Sequence, residues 1–255
     1  MVFHWRALAL SGALALGLLT LAPAPALAIT VQPVVIDLAP VGRDMSQVIT
    51  VENTFATPLT VELRTEELSF DENGAHGTGK DPGDLLIFPP QAIIQPGDTQ
   101  SFRVQWVGDP DVKQSKHYYV TVAQLPVQLP AGQSAIQILY NFQVLVSVKP
   151  TGGKPAIKVI SGEIGKDAKG NPVPILMVQN DSNTHGYLSQ GTLRIIEKDS
   201  SGKQIFQKTL LGPEIQQTIG FGLIASGQKR RVAVPIVLPQ DGGQIEAQFT
   251  PDSRR

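Results

Sequence analysis

The stretch AIQILYNFQVLVSVKP, running from Ala135 to Pro150, decides how this chain folds. Its even positions are all apolar: Ile136, Ile138, Tyr140, Phe142, Val144, Val146 and Val148. A period of two is that of a β-strand, in which successive side chains point to opposite faces. The other face carries Gln137, Asn141, Gln143 and Ser147, interrupted only by Leu139 and Leu145. At ~3.3 Å per residue such a strand runs about 45 Å, longer than the usual five or six residues and longer than a small sandwich core needs. A central strand packed on both faces, or one that bends to serve two sheets, would use that length internally. The polar face argues instead for a long apolar face that needs a partner sheet or a guest to cover it.

The rest of the chain follows the same pattern. QVITVEN, LTVELRTEELSF, AIIQPG, TQSFRVQWV and HYYVTVAQLPV precede the long strand, and PAIKVISG, PVPILMVQN, GTLRIIEKD, KQIFQKTLL, RRVAVPIVL and QIEAQFT follow it. These are short alternating or β-branched runs separated by Gly, Pro, Asn and Asp, with no amphipathic helix of ten or more residues between them. The class is all-β. The two halves echo each other: Asn53 ends VEN and Gly97 opens a later turn into a strand, while Asn180 ends VQN and Gly227 holds the matching place. That spacing fits two immunoglobulin-like sandwiches of about 100 residues each. Gly and Pro cluster at KPTGGKP, Lys149 to Pro155, so residues 29–150 are expected to form the first sandwich and 151–255 the second.

Residues 1–28 read as a secretory signal, because Arg6 precedes an apolar run from Ala7 to Leu21 and Ala26 and Ala28 suit cleavage. No later run is long enough to span a bilayer as a helix, so the mature chain is not expected to insert in a membrane. Lys and Arg number 21 against 22 Asp and Glu, and without a basic block this balance argues against nucleic acid as a partner. The chain has no cysteine, hence neither a disulfide framework nor a thiolate site. It must rely on ordinary apolar cores, which its length allows.

Few residues invite chemistry. Gly74 to Lys80 satisfies G-x-x-x-x-G-K, but Asp81 stands where a phosphate loop needs Ser or Thr, and Pro82-Gly83 follows where a helix should begin. A flexible loop at a sandwich end is the better reading. His4 leaves with the signal, and His76, His117 and His185 lack metal-ligand spacing, so they read as loop and strand-surface histidines and no metal is expected. Glu62, Glu66, Glu67, Asp71 and Glu72 crowd one segment, and a carboxylate-dependent hydrolase would need two of them in a pocket. On an alternating strand, however, Glu62 and Glu66 lie on the outer face opposite Leu63, where solvated charge blunts an exposed strand. No nucleophile elbow is present, and neither catalysis nor a cofactor is expected.

A long strand at a sheet edge offers its unpaired N–H and C=O groups to another protein, while alternate side chains fill that protein's pockets. The segments VQPVVIDL, VENTFATPLTVEL, IFPPQAIIQPGDTQSFRVQW, HYYVTVAQLP and the long strand closed by Lys149-Pro150 occur in that order. Within them runs P-P-x-x-x-I-x-P-G-x-x-x-x-x-R, here Pro89, Pro90, Ile94, Pro96, Gly97 and Arg103. In these features the chain resembles the periplasmic pilus-assembly chaperones of chaperone-usher systems, the PapD-like family, and within it the archaic branch.

The resemblance implies two immunoglobulin-like domains in a boomerang with a cleft, a periplasmic location, and pilus subunits and an outer-membrane usher as partners. The last strand of the first domain would complete an unfinished subunit by donor-strand complementation, with Ile136, Ile138, Tyr140, Phe142 and Val144 as the subunit-binding side chains. Self-association of the free protein is the other way to cover that face. Classical members hold the subunit's C-terminal carboxylate with an Arg and a Lys. Pro33 and Leu145 stand at those places, which leaves Arg103 as the substitute candidate. The family's interdomain ion pair is matched in part by Lys149 and Asp241, with Gln124 in place of its Glu. The rival expectation is a two-domain structural fibre subunit or adhesin in which the long strand is internal. Such a subunit would carry an N-terminal donor segment, whereas VQPVVIDLAP starts within a few residues of Ala28.

Overall fold

The structure, a computed structural model, describes residues 29–126 and 138–252; the expected signal at 1–28 and the candidate Ile136 lie outside the described residues. Ten strands build the first sandwich: Ile29–Gln32 (β1), Val35–Leu38 (β2), Ser46–Asn53 (β3), Leu59–Asp71 (β4), Gly74–Gly77 (β5), Leu85–Phe88 (β6), Gln91–Ile94 (β7), Thr99–Trp106 (β8), Lys116–Gln124 (β9) and Asn141–Val148 (β10). One sheet has the order β1-β3-β8-β6 and the other β2-β10-β9-β4, with β5 and β7 also pairing with β4. The chain changes sheet between β1 and β2, across Pro33 and Val34. Pro33 has no N–H to give to a ladder, so a break falls naturally there. The inward side chains, among them Ile36, Leu38, Ile49, Phe102, Trp106 and Tyr118, are almost wholly buried.

Eight strands and one helix build the second sandwich: Ile157–Lys166 (β11), Pro172–Asn180 (β12), Gly186–Tyr187 (β13), Gly191–Lys198 (β14), Gln204–Leu210 (β15), Gly212–Ile219 (α1), Leu223–Ile224 (β16), Lys229–Ala233 (β17) and Gln244–Pro251 (β18). They pair as β11-β12-β17, β15-β14-β18 and β13-β16. Its core, which includes Leu176, Leu193, Ile195 and Ile224, is a cluster separate from the first. The eight-residue α1 starts with Pro213 in its first turn, and the Glu214 carboxylate accepts the Leu211 N–H at 3.1 Å. Only Ile215 is buried from it, too little for an amphipathic signal.

The repeated Asn has a physical meaning. Asn53 is fully buried, its Nδ2 donating to the carbonyls of Thr57 and Ile94 at 2.9 Å, and its Oδ1 accepting the Phe55 N–H at 3.0 Å. Asn180 makes the same staple in the second sandwich, to the carbonyls of Thr184 and Ile224 at 2.8 and 3.2 Å, with Oδ1 accepting from Ser182 at 3.1 Å. Each side chain ties a strand end to a distant turn, satisfying backbone groups that would otherwise be buried without partners.

Two expectations change. The Gly-rich stretch starts as β5, hairpinned on β4 in register Asp71 to Gly74, rather than as a loop. The long strand is also shorter than its alternation suggests: β10 has eight residues, about 26 Å. Its neighbour β9 sets the limit. The last ladder bond runs from Gln124 N–H to the Tyr140 carbonyl at 2.9 Å, after which Leu125 N–H turns to Thr60 and Pro126 has no N–H to offer.

Candidate functional site: the half-open edge of the long strand

The even-numbered side chains of the long strand divide along its length. Val144, Val146 and Val148 are fully buried, Phe142 is partly buried against the same core, Tyr140 is 43% exposed and Ile138 70%. One apolar face therefore passes from core to solvent. Val144, expected among the subunit-binding residues, is a correction: it fills the sandwich and is not available to a partner without emptying the core.

The hydrogen-bonding edge divides at the same place. β2 pairs with Leu145 to Val148, so among the described residues Asn141 to Val144 have β9 on one side and no strand on the other. Leu145 N–H donates to the Val34 carbonyl at 3.0 Å and Lys149 N–H to that of Leu38 at 3.1 Å, which sets odd-numbered backbone groups toward the β2 side. Because backbone groups alternate along a strand, the N–H and C=O of Asn141 and Gln143 face the open edge.

Two further residues shape this end, and the sequence reading missed both roles. Phe55 lies with its ring 6.1 Å from that of Tyr140, which stacks on Phe142 at 6.4 Å and 21°. The Asn53 staple holds the turn that presents Phe55, so an Asn at a strand end followed by an aromatic was the available signal. Gln124 accepts the Tyr140 N–H through Oε1 at 3.2 Å, extending the strand past its last ladder pair.

Residues 29–154 match the family described as pili and flagellar-assembly chaperone, PapD N-terminal domain. The first sandwich is thus a PapD N-terminal domain. Among solved structures, the chain is similar to a chaperone-tip adhesin complex of CFA/I fimbriae biogenesis, with a TM-score of 0.51 and 14% identity over 88% of this chain and 97% of that one. It is similar to the chaperone YadV at 0.51 and 13%, over 87% and 91% of the two chains. The complex of the SafB chaperone with the Salmonella enterica pilin SafA gives 0.50 and 12%, over 88% and 96%. At such identities the likeness speaks for the fold. No curated protein matches the chain.

The remaining expected site residues lie elsewhere on the two sandwiches. Arg103 is exposed on β8, in register with Val48 and Phe88, while its neighbours Phe102 and Val104 point inward. It therefore stands on the outer face of the sheet that does not contain β10, which removes it as an anchor for a guest at that edge. Asp241 pairs with Lys166 at 2.9 Å on the surface of the second sandwich rather than with Lys149. Lys149 follows β10 on the surface, and its charge is one of those acting on Asp37.

His117 and His185, expected at the surface, are both buried between the sandwiches. Glu66 occupies the Gly-rich turn itself: its carboxylate accepts the Gly79 N–H at 2.6 Å, which leaves that amide no phosphate to cradle. Glu62, on the outer face as expected, is held below the usual carboxylate range by hydrogen bonds from Arg64 and then Gln91.

Proposed function

We propose that the protein is a periplasmic chaperone that holds pilus subunits by donor-strand complementation and hands them to an outer-membrane usher. One observation carries the reading: a single strand whose apolar face runs out of the core at the point where, among the described residues, its hydrogen-bonding edge has no partner strand. Burying Ile138, Tyr140 and Phe142 at about 1.5–3 kcal/mol each supplies roughly 4 to 9 kcal/mol before ordering costs, enough to hold a guest without chemical work. A guest strand adds main-chain bonds to Asn141 and Gln143. Chaperone–adhesin and chaperone–pilin complexes among the similar structures support fibre subunits as the guest class.

The cleft beside this edge supports the archaic branch. Among the described residues it is lined by Gln32, Pro33, Val34, Asp37, Tyr187 and Phe221 with others, none of them a Lys or Arg that could hold a terminal carboxylate. A structural fibre subunit, the rival reading, would keep the long strand inside, whereas Ile138 and Tyr140 are open to solvent.

The test is co-purification from periplasm of the wild-type chain and of the double variant Ile138→Asp with Tyr140→Asp, with partners identified by mass spectrometry. Small secreted fibre subunits should accompany the wild type and be lost from the variant, which should stay folded because both positions are exposed. Unfolding of the variant, with nothing captured by the wild type, would favour the internal-strand reading.

A further inference from the structure

Asp37, Ser147 and His117 stand side by side across β2, β10 and β9, since Ser147 is in register with Asp37 on one side and with His117 on the other. The second sandwich closes over this polar row with His185 and Tyr187. His185 Nε2 lies 3.0 Å, and the Tyr187 hydroxyl 2.7 Å, from the same oxygen, Asp37 Oδ1. A carboxylate only accepts, so both groups donate to it. His185 Nδ1 is 2.9 Å from Ser115 Oγ, and His117 Nδ1 is 2.8 Å from Ser147 Oγ. The rings of His117 and His185 meet edge to face at 5.0 Å, and those of His185 and Tyr187 at 5.4 Å. Beyond Tyr187 the interface opens into a cleft of about 780 Å³ between Pro33–Val35 and Phe221. On that side, directed polar bonds rather than close packing hold the two sandwiches together.

The row lies three residues along β10 from Val144, where the open edge ends, a distance of about 10 Å. We propose that Asp37, His185 and Tyr187 form a latch that couples occupation of the open edge to the angle between the sandwiches. The proposal rests on the donor-strand reading given above. A guest laid along Asn141 to Val144 abuts Val34, just before β2, and stiffens the two strands that carry Asp37 and Ser147. The latch fixes the second sandwich to those same strands. Coupling is reciprocal, so a guest that narrows the spread of angles must bind more tightly when the latch has already narrowed it. The three side chains are positioning residues; none needs to touch the guest.

Because the chain has no cysteine, Glu52→Cys and Lys203→Cys, both at exposed positions, accept one spin label in each sandwich. Interdomain distances would be recorded for this pair alone and with Asp37→Ala, Tyr187→Phe and both. The guest probe is the subunit that co-purifies with the wild-type chain. The latch predicts a narrow distribution that each substitution broadens. The double variant should be no broader than Asp37→Ala, because both bonds end on one oxygen that this substitution removes. Affinity for the subunit should fall about tenfold in either variant, within the usual range of coupling between sites. The melting transition of the first sandwich should stay in place. Distributions as narrow as wild type, or broadening without loss of affinity, would overturn the latch alone. Failure of the wild type to capture any subunit would bring down the donor-strand reading and, with it, the coupling.

Discussion

A histidine that resists protonation sits at the join of the two sandwiches. His117 is buried, its Nδ1 engaged by Ser147 Oγ and its Nε2 without a partner. Burial, and after it the neighbouring His185, push its pKa down to about 3, against the opposing pull of Asp37. An unfolded chain takes up this proton near pH 6.5, so between pH 6.5 and 3 the unfolded state binds more protons than the native one. The stability due to the neutral imidazole is therefore complete above pH 6.5 and drains away on acidification, by at most about 1.4 kcal/mol per pH unit. Asp37 is pushed up by burial, but the hydrogen bond and charge of His185, the Tyr187 hydroxyl and Lys149 outweigh this and leave its carboxyl below the usual range. It is depressed too, and its contribution is lost only at lower pH, below about 4. Denaturant melts of wild type and His117→Gln between pH 6.5 and 4.5 should show the wild type losing stability more steeply. Parallel slopes would mean that His117 is protonated in the folded protein. Sequence could not have placed this residue, since its burial depends on a second sandwich whose contacts come from some 70 residues away.

At the scale of one element, the long strand was legible in its alternation and illegible in its ending. Period two gave the inward face correctly from Phe142 to Val148. The point where that face leaves the core depends on β2, about 110 residues upstream, and on where β9 stops at Gln124. Backbone direction makes the distinction testable with proline. Gln143 sends its N–H to the open edge, so Gln143→Pro should fold with little loss of stability yet fail to retain fibre subunits, since proline is tolerated where the missing N–H faces solvent. Phe142 sends its N–H toward β9, and Phe142→Pro leaves a carbonyl of that strand unpaired, costing about 1–3 kcal/mol in addition to lost packing. Urea midpoints and subunit retention, measured on both variants, should separate. Equal destabilisation by the two prolines would show that the edge at Gln143 is covered in the free protein, as self-association would cover it. The Asn53 and Asn180 staples were legible as a repeat of spacing; their hydrogen bonds to distant turns were not.

The whole molecule is two apolar cores joined by a polar seam. The first cluster runs from Ile29 to Val148 and the second from Leu176 to Phe249, and no buried apolar residue belongs to both. Between them lie the Asp37–His185–Tyr187 contacts and bonds from turns, such as Gln228 Nε2 to the Asp71 carbonyl at 2.7 Å. A seam of this kind fixes an angle without merging two cooperative units, because the burial that drives cooperativity stays on either side of it. Ile49 and Ile195, both wholly buried, report on the two units separately. Ile49→Ala and Ile195→Ala should each cost about 2–5 kcal/mol. In calorimetry the first should lower one transition and the second the other, each by about 10 °C or more, since for units of this size 1 kcal/mol corresponds to about 4–8 °C. Added subunit should raise only the transition that Ile49→Ala lowers, since a ligand stabilises the unit that binds it. If both substitutions lowered a single shared transition by the same amount, the seam would have to carry far more free energy than a few hydrogen bonds supply, and the two cores would unfold as one.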